Sequence, residues 1–180
     1  MLVRAAFELF GENGESAVTV RSVCNHGALN TRYFYESFTD TNELLGATYD
    51  VVVADLISAL TEAMSDLQDD RARLRAGIST VLEFSSRDPR RGKILFTESR
   101  TNPVLAQRRS AMQEQLRKSV IDDGRTAAAL PRTAILVGAA MYAGAMAELA
   151  HQWLAGNLGS DLDPVVDSAV RVLMPTGSGR

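Results

Sequence analysis

The chain is poor in the residues that build most catalytic and metal centres. Of 180 residues, one is Cys, two are His and one is Trp. The single cysteine, Cys24, excludes an intrachain disulfide and any site built on several thiolates, and suits a reducing cytoplasm. His26 and His151 do not stand in metal-ligand spacing with Asp or Glu, so no metal and no cofactor are expected. There is no Ser nucleophile elbow, phosphate-binding loop or dinucleotide fingerprint, which puts a helical enzyme last among the readings. Positive charge is also short. Lys and Arg number 19 against 22 Asp and Glu, whereas a nucleic-acid binder usually carries a basic excess. Met1 to Phe10, with Arg4 and Glu8, lacks the layout of a signal peptide. The longest uncharged run, Thr133 to Ala147, has 15 residues, short of the roughly 20 that span a bilayer. No membrane partner is expected.

What is present is helix. Apolar residues make up 46% and charged residues 23%, enough for a core and against disorder. Prolines are few and none falls inside a helical pattern. Asp88-Pro89, Asn102-Pro103 and Asp163-Pro164 each place a capping side chain before Pro, the order of N-cap and N1. Pro131 offers a further helix start, and Pro175 stops the last apolar run. The predicted helices are 2–12, 20–26, 31–37, a fourth from the Asp40 cap to about Leu67, 71–86, a short sixth from Pro89, 104–121, 131–154 and 164–173. No alternating strand or internal repeat interrupts them. The expectation is an all-α chain of about nine helices.

The segment Gly27 to Leu44 is the most specified. Asn30 caps a short aromatic helix, and Asp40 with Glu43 forms a capping box for the next. So short a helix depends on packing for its stability, and held across two others it has the form of a DNA recognition helix.

The stretch AAFELFGENGESAVTVRSVCNHGALNTRYFYESFTDTNELL resembles the N-terminal domain of the tetracycline-repressor (TetR) family of transcriptional regulators. The shared features fall on Ala5, Ala6, Phe10, Gly14, Thr19, Val20, Val23, Leu29, Tyr35, Phe38, Glu43 and Leu44. The resemblance implies a helix-turn-helix domain over 1–45 and a ligand-binding, dimerising domain over 46–175. Phe7, Phe10, Val20, Val23, Leu29, Phe34 and Phe38 are the expected head core. Thr19 and Arg21, at a helix N-terminus, suit phosphate contacts. Asn30, Thr31, Arg32 and Tyr33 occupy the turn that reaches base edges, Arg32 being the candidate for guanine. Tyr35 and Thr41 fall to the backbone.

Three features depart from the family pattern. Thr41 stands where a Lys is usual. The usual Ala-Gly before the turn is reversed to Gly27-Ala28. Residues 1–45 hold three arginines against six carboxylates, so a basic arm preceding Met1 is expected. A relative that has lost DNA binding and serves as a small-molecule-binding or scaffold dimer is the alternative.

The eighth helix has no polar face between Val137 and Ala147, which demands burial on both sides. Either its own neighbours wrap it, or a second subunit covers it. The second reading makes Gly138, Ala140, Gly144 and Ala147, with Val166 and Val170 of the ninth helix, a homodimer interface in a two-fold bundle. Phe84, Leu95, Phe96, Met112, Leu116, Met141, Tyr142 and Met146 are candidate contacts for a moderately hydrophobic effector, though core packing suits each as well. In the family such a ligand alters the separation of the recognition helices on a palindromic operator. The cluster Arg87, Arg90, Arg91 and Lys93 reads as charged surface or as a site for a phosphate-bearing ligand.

Overall fold

The computed structural model describes residues 1–98, 102–122 and 131–174, except the side chains of 116, 117 and 119–122. All regular structure among them is helical: α1 (Leu2–Asn13), α2 (Val20–His26), α3 (Thr31–Ser37), α4 (Thr41–Met64), α5 (Asp70–Arg87), α6 (Pro89–Gly92), α7 (Pro103–Asp122), α8 (Arg132–Leu154) and α9 (Leu162–Leu173). A 3₁₀ turn, Glu15–Ala17, precedes α2, and α6 runs into a π-type turn over Lys93–Thr97.

Side-chain caps set most of the helix starts. The Thr19 hydroxyl accepts from the Ser22 amide at 3.1 Å, and the Ser22 hydroxyl accepts from the Thr19 amide at 2.9 Å. Asn30 Oδ1 accepts from the Tyr33 amide, and Asp40 Oδ1 from the Glu43 amide at 2.8 Å. Glu43 reaches one residue further back than a standard capping box, to the Thr39 amide at 2.7 Å. Asp88 and Asn102 cap α6 and α7 ahead of their prolines. The Asp163-Pro164 pair does not act this way. α9 begins at Leu162 with no side-chain cap, leaving Pro164 inside a first turn whose amides need no intrahelical partner.

Two glycine positions shape the turns and packing of the N-terminal helices. Gly11 does not end α1, and Gly14, at φ 82°, follows the helix instead. A Cβ at Gly11 would stand 2.3 Å from the Cβ of Arg90, so its absence lets α6 lie against α1. In the turn between α2 and α3 the left-handed residue is Ala28, at φ 51°, while Gly27 stays at φ −83°. The reversed Gly-Ala order therefore puts a Cβ in the conformation that costs an L-residue about 1–2 kcal/mol.

α1 to α3 close around the N-terminal half of α4. Phe10, Val23 and Phe34 are fully buried there with Leu44, and Cys24 is buried beside them. Phe7, Val20, Leu29 and Phe38 pack partly buried around this centre. The apolar cluster does not stop at the head. It continues through Tyr49, Val52, Leu82, Ile94, Leu105 and Ala150 to Val166 and Val170. By length and composition α4 and α8 could each cross a bilayer, contrary to the count of uncharged residues. α4, however, packs against α1, α5 and α7, and α8 against α5 and α7.

Ala28→Gly is expected to stabilise the chain by about 0.5–1 kcal/mol, because glycine accepts the left-handed conformation without steric cost. Urea unfolding checks this; an unchanged or lower midpoint would refute the strain.

Candidate functional site

Two places on the molecule can recognise something. The first is the outer face of α2 and α3. Thr19, Arg21, Asn30, Thr31, Arg32, Tyr33 and Tyr35 are all exposed. Their backbone is held from behind by Phe34, whose ring meets Tyr35 edge-on at 5.3 Å between centroids. The Arg32 Nε donates to Glu36 Oε1 at 2.8 Å on its own helix, so the guanidinium must leave this carboxylate to reach a base. Thr41 stands apart. It is half-buried and borders a polar cleft with Asn13, Glu15, Ser16 and Glu98.

The second place is an apolar cavity of about 560 Å³ between α4, α5, α7, α8 and the π-type turn, open to solvent on one side. Of the expected contacts, Leu95, Phe96, Met112, Tyr142 and Met146 line it. Phe84 does not; it is buried beneath the Arg91 guanidinium, 4.9 Å from its ring centroid. Met141 does not either, because α8 turns it outward to 69% exposure. The Leu116 side chain lies outside the described residues. The inner walls come largely from Leu56, Leu60 and Met64 of α4 with Leu74, Gly77 and Val81 of α5. Their spacing by three and four was visible as one helix face, but it marks core and cavity wall alike. Arg109 and Gln113 also line the space, with no local pattern that would announce them.

The head and the cavity share two mechanical links. α4 runs from beneath the recognition helix to the cavity wall. α6 clamps α1: the Arg90 guanidinium lies 5.0 Å from the Phe7 ring centroid, and the Lys93 ammonium donates to the Glu12 carbonyl at 3.2 Å. Arg90 is itself fixed by Asp88 at 2.9 Å. The basic cluster is thus engaged in contacts within the chain. Arg87 pairs with Glu83 and Arg91 with Asp55, and the other two residues dock α6 on the head. The chain continuing from α6 carries Leu95 and Phe96 into the cavity wall, and π-type turns recur where a helix serves function.

The proposed interface residues divide. Gly138, Ala140 and Gly144 are exposed and Ala147 is half-buried, while Gly144 and Ala147 also border the cavity. Val166 and Val170 are 0% and 3% exposed and belong to the core against α5, so they cannot meet a partner. The open side of α9 carries Val165, Ala169 and the 78%-exposed Val172, which with Ala145 and Leu149 of α8 form an outward apolar groove.

Carboxylates pinned within this framework are more acidic than usual. Glu8 falls below the ordinary 4.5, through its hydrogen bond to His26 and then its bond to Arg4. Glu43 falls through the Thr39 amide and hydroxyl. Asp88 falls below 3.8, chiefly through Arg90.

No family model matches the chain. It is 24% identical over 172 residues to the HTH-type transcriptional activator FasR of Mycolicibacterium smegmatis, a match covering 94% of this chain and 78% of that protein. The structure resembles the transcriptional regulator FadR of Bacillus subtilis, solved in complex with stearoyl-CoA, with a TM-score of 0.79 at 17% identity over 97% of this chain and 96% of that one. It also resembles a TetR-like transcriptional regulator of Rhodococcus sp. RHA1, with a TM-score of 0.73 at 16% identity over 96% and 91% of the two chains. The fold is the TetR-like fold, along essentially the whole chain.

These depressed carboxylates stabilise the fold above their unfolded values and cease to do so as pH falls through the lower folded ones. Stability should therefore decline below about pH 4.5, the ordinary Glu value. Glu43→Gln should lower stability at neutral pH and flatten this acid limb, as read from urea midpoints along a pH series. An equally steep limb in the variant would refute the assignment.

Proposed function

We propose that the chain is a TetR-family transcriptional regulator that binds DNA as a homodimer and is controlled by a small effector in the cavity. The observation that carries this reading is the continuity of α4 and α6 from the cavity wall to the helices behind the recognition face. A ligand that prefers one setting of these helices biases the separation of two recognition helices by its differential affinity. Asn30 to Tyr33 read bases, and Thr19, Arg21 and Tyr35 hold the backbone. Thr41, where the family carries a cation, contributes at most a neutral contact.

The dimer forms through α8 and α9. The open faces of Met141, Gly138, Ala145 and Val172 are apolar and exposed, and self-association on a two-fold axis buries both copies of such a patch at once. Dimer symmetry predicts a palindromic operator. The effector is largely apolar, as its walls require, and the stearoyl-CoA complex of the Bacillus neighbour supports a long acyl body. The cytoplasm is its place of action. Repression relieved by the effector is the family habit. Activation is the second reading of direction, supported by the name of the Mycolicibacterium relative. A TetR-like dimer without DNA binding is the second reading of function, favoured by the acidic head and by the Glu36 carboxylate holding Arg32.

The test is binding to DNA flanking the chain's own coding region at two salt concentrations. Specific binding with a steep salt slope is expected. Arg32→Ala should cost about 1–3 kcal/mol at one operator position and relax its specificity, whereas Arg21→Ala should weaken all sequences and reduce the slope by about 1. Absence of binding even with a basic arm added would favour the scaffold. A tight cavity ligand that never changes DNA affinity would refute effector control.

A further inference from the structure

The cavity is apolar on most sides, yet Arg73, Arg109, Gln113 and, from an exposed position, Glu148 also line it. Arg109, on α7, faces walls made by Leu56, Leu60, Leu74 and Met146. Its neighbour Arg108 has a carboxylate in Asp50. The other cavity arginine, Arg73, donates to the Met64 and Leu67 carbonyls at the end of α4, at 3.2 and 3.3 Å. Arg109 has no such partner among the described residues, and its Nε is buried and unsatisfied. Among the described residues, the other buried, unsatisfied side-chain atom is the hydroxyl of Tyr49, a residue on which the Arg109 charge acts. Burial pushes the Tyr49 phenol up to about 12, so it keeps its proton.

Arg109 is half-buried, its Nε being the closed atom, and a buried donor left without an acceptor destabilises the fold. Its fork of N–H donors matches a carboxylate, and charge-assisted bonds of this kind are the strong ones. We infer that Arg109 is the head-group site of the effector cavity, and that its ligand is an amphiphile bearing a carboxylate on a long apolar body. This rests on the cavity being the effector site. It goes beyond that reading by naming the group that the ligand presents and the residue that receives it. An anionic head could also come from the phosphates of an acyl thioester conjugate. The compact carboxylate is chosen because the unsatisfied donor, the Arg109 Nε, is closed to solvent.

Calorimetry on the full chain with hexadecanoate, hexadecanol and hexadecanoyl-CoA separates these cases. The acid is expected to bind about 10- to 100-fold more tightly than the alcohol, the ratio that a charged hydrogen bond provides. Arg109→Met should abolish this preference, leave the affinity for the alcohol unchanged, and melt no lower than the native chain when unliganded. Should that variant fail to fold, Arg109→Lys, which keeps charge without the fork, should retain a reduced preference. Equal binding of acid and alcohol, or an acid preference that survives in Arg109→Met, overturns the head-group assignment but leaves the cavity reading standing. Tight binding of the thioester alone, indifferent to Arg109→Met, also overturns it. Binding of none of the three overturns both.

Discussion

Helix α4 belongs to two cores at once, and the rest of the structure depends on that double duty. Its first turns bury Leu44, Leu45, Thr48 and Tyr49, anchoring α1 to α3 from below. Its last turns present Leu56, Leu60 and Met64 to the cavity. At 24 residues it is a rod of about 36 Å, given the rise of 1.5 Å per residue. A rod packed at both ends transmits a tilt, because close-packed interiors shift between discrete arrangements and do not absorb displacement smoothly. The α6 clamp supplies the second support. Since Gly11 admits Arg90 against α1 without a side chain between them, movement of the Leu95–Phe96 wall has a direct route to the head.

This arrangement also resolves the charge problem. The recognition face carries few cations, and its main one, Arg32, is paired with Glu36. A single head is therefore a poor electrostatic match to DNA. In the proposed dimer, two heads on one palindrome would double the contacts without a more basic surface, and a spacing change that disengages one of them would remove much of the affinity. Low intrinsic affinity and effector control suit one another: a modest bias is enough to move the equilibrium.

Much of the head was legible in the sequence because its boundaries are written in side chains. α2 and α3 begin where Thr19 and Asn30 accept amides and end where predicted, at residues 26 and 37. Where no such signal exists, packing decides. α4 ends at Met64, short of Leu67, with neither Gly nor Pro at its close. The α9 start misled because Asp163-Pro164 has the form of a cap that the chain does not use. Val166 and Val170 share an apolar face with neighbours on both sides of α9. Periodicity finds such faces but does not say which one meets α5 and which one solvent. Arg109 reads in sequence as one more surface cation beside Arg108. Only the rotation of α7 onto the cavity makes it a lining residue.

In the proposed mechanism, filling the cavity moves the two recognition helices relative to each other. Pulsed electron spin resonance reads that separation directly, with spin labels at the exposed position of Ser37→Cys in a Cys24→Ala background. The account predicts that the inter-label distance distribution shifts when a cavity ligand binds, under the same conditions that change DNA affinity. An unchanged distribution with the cavity occupied and DNA affinity altered would contradict it.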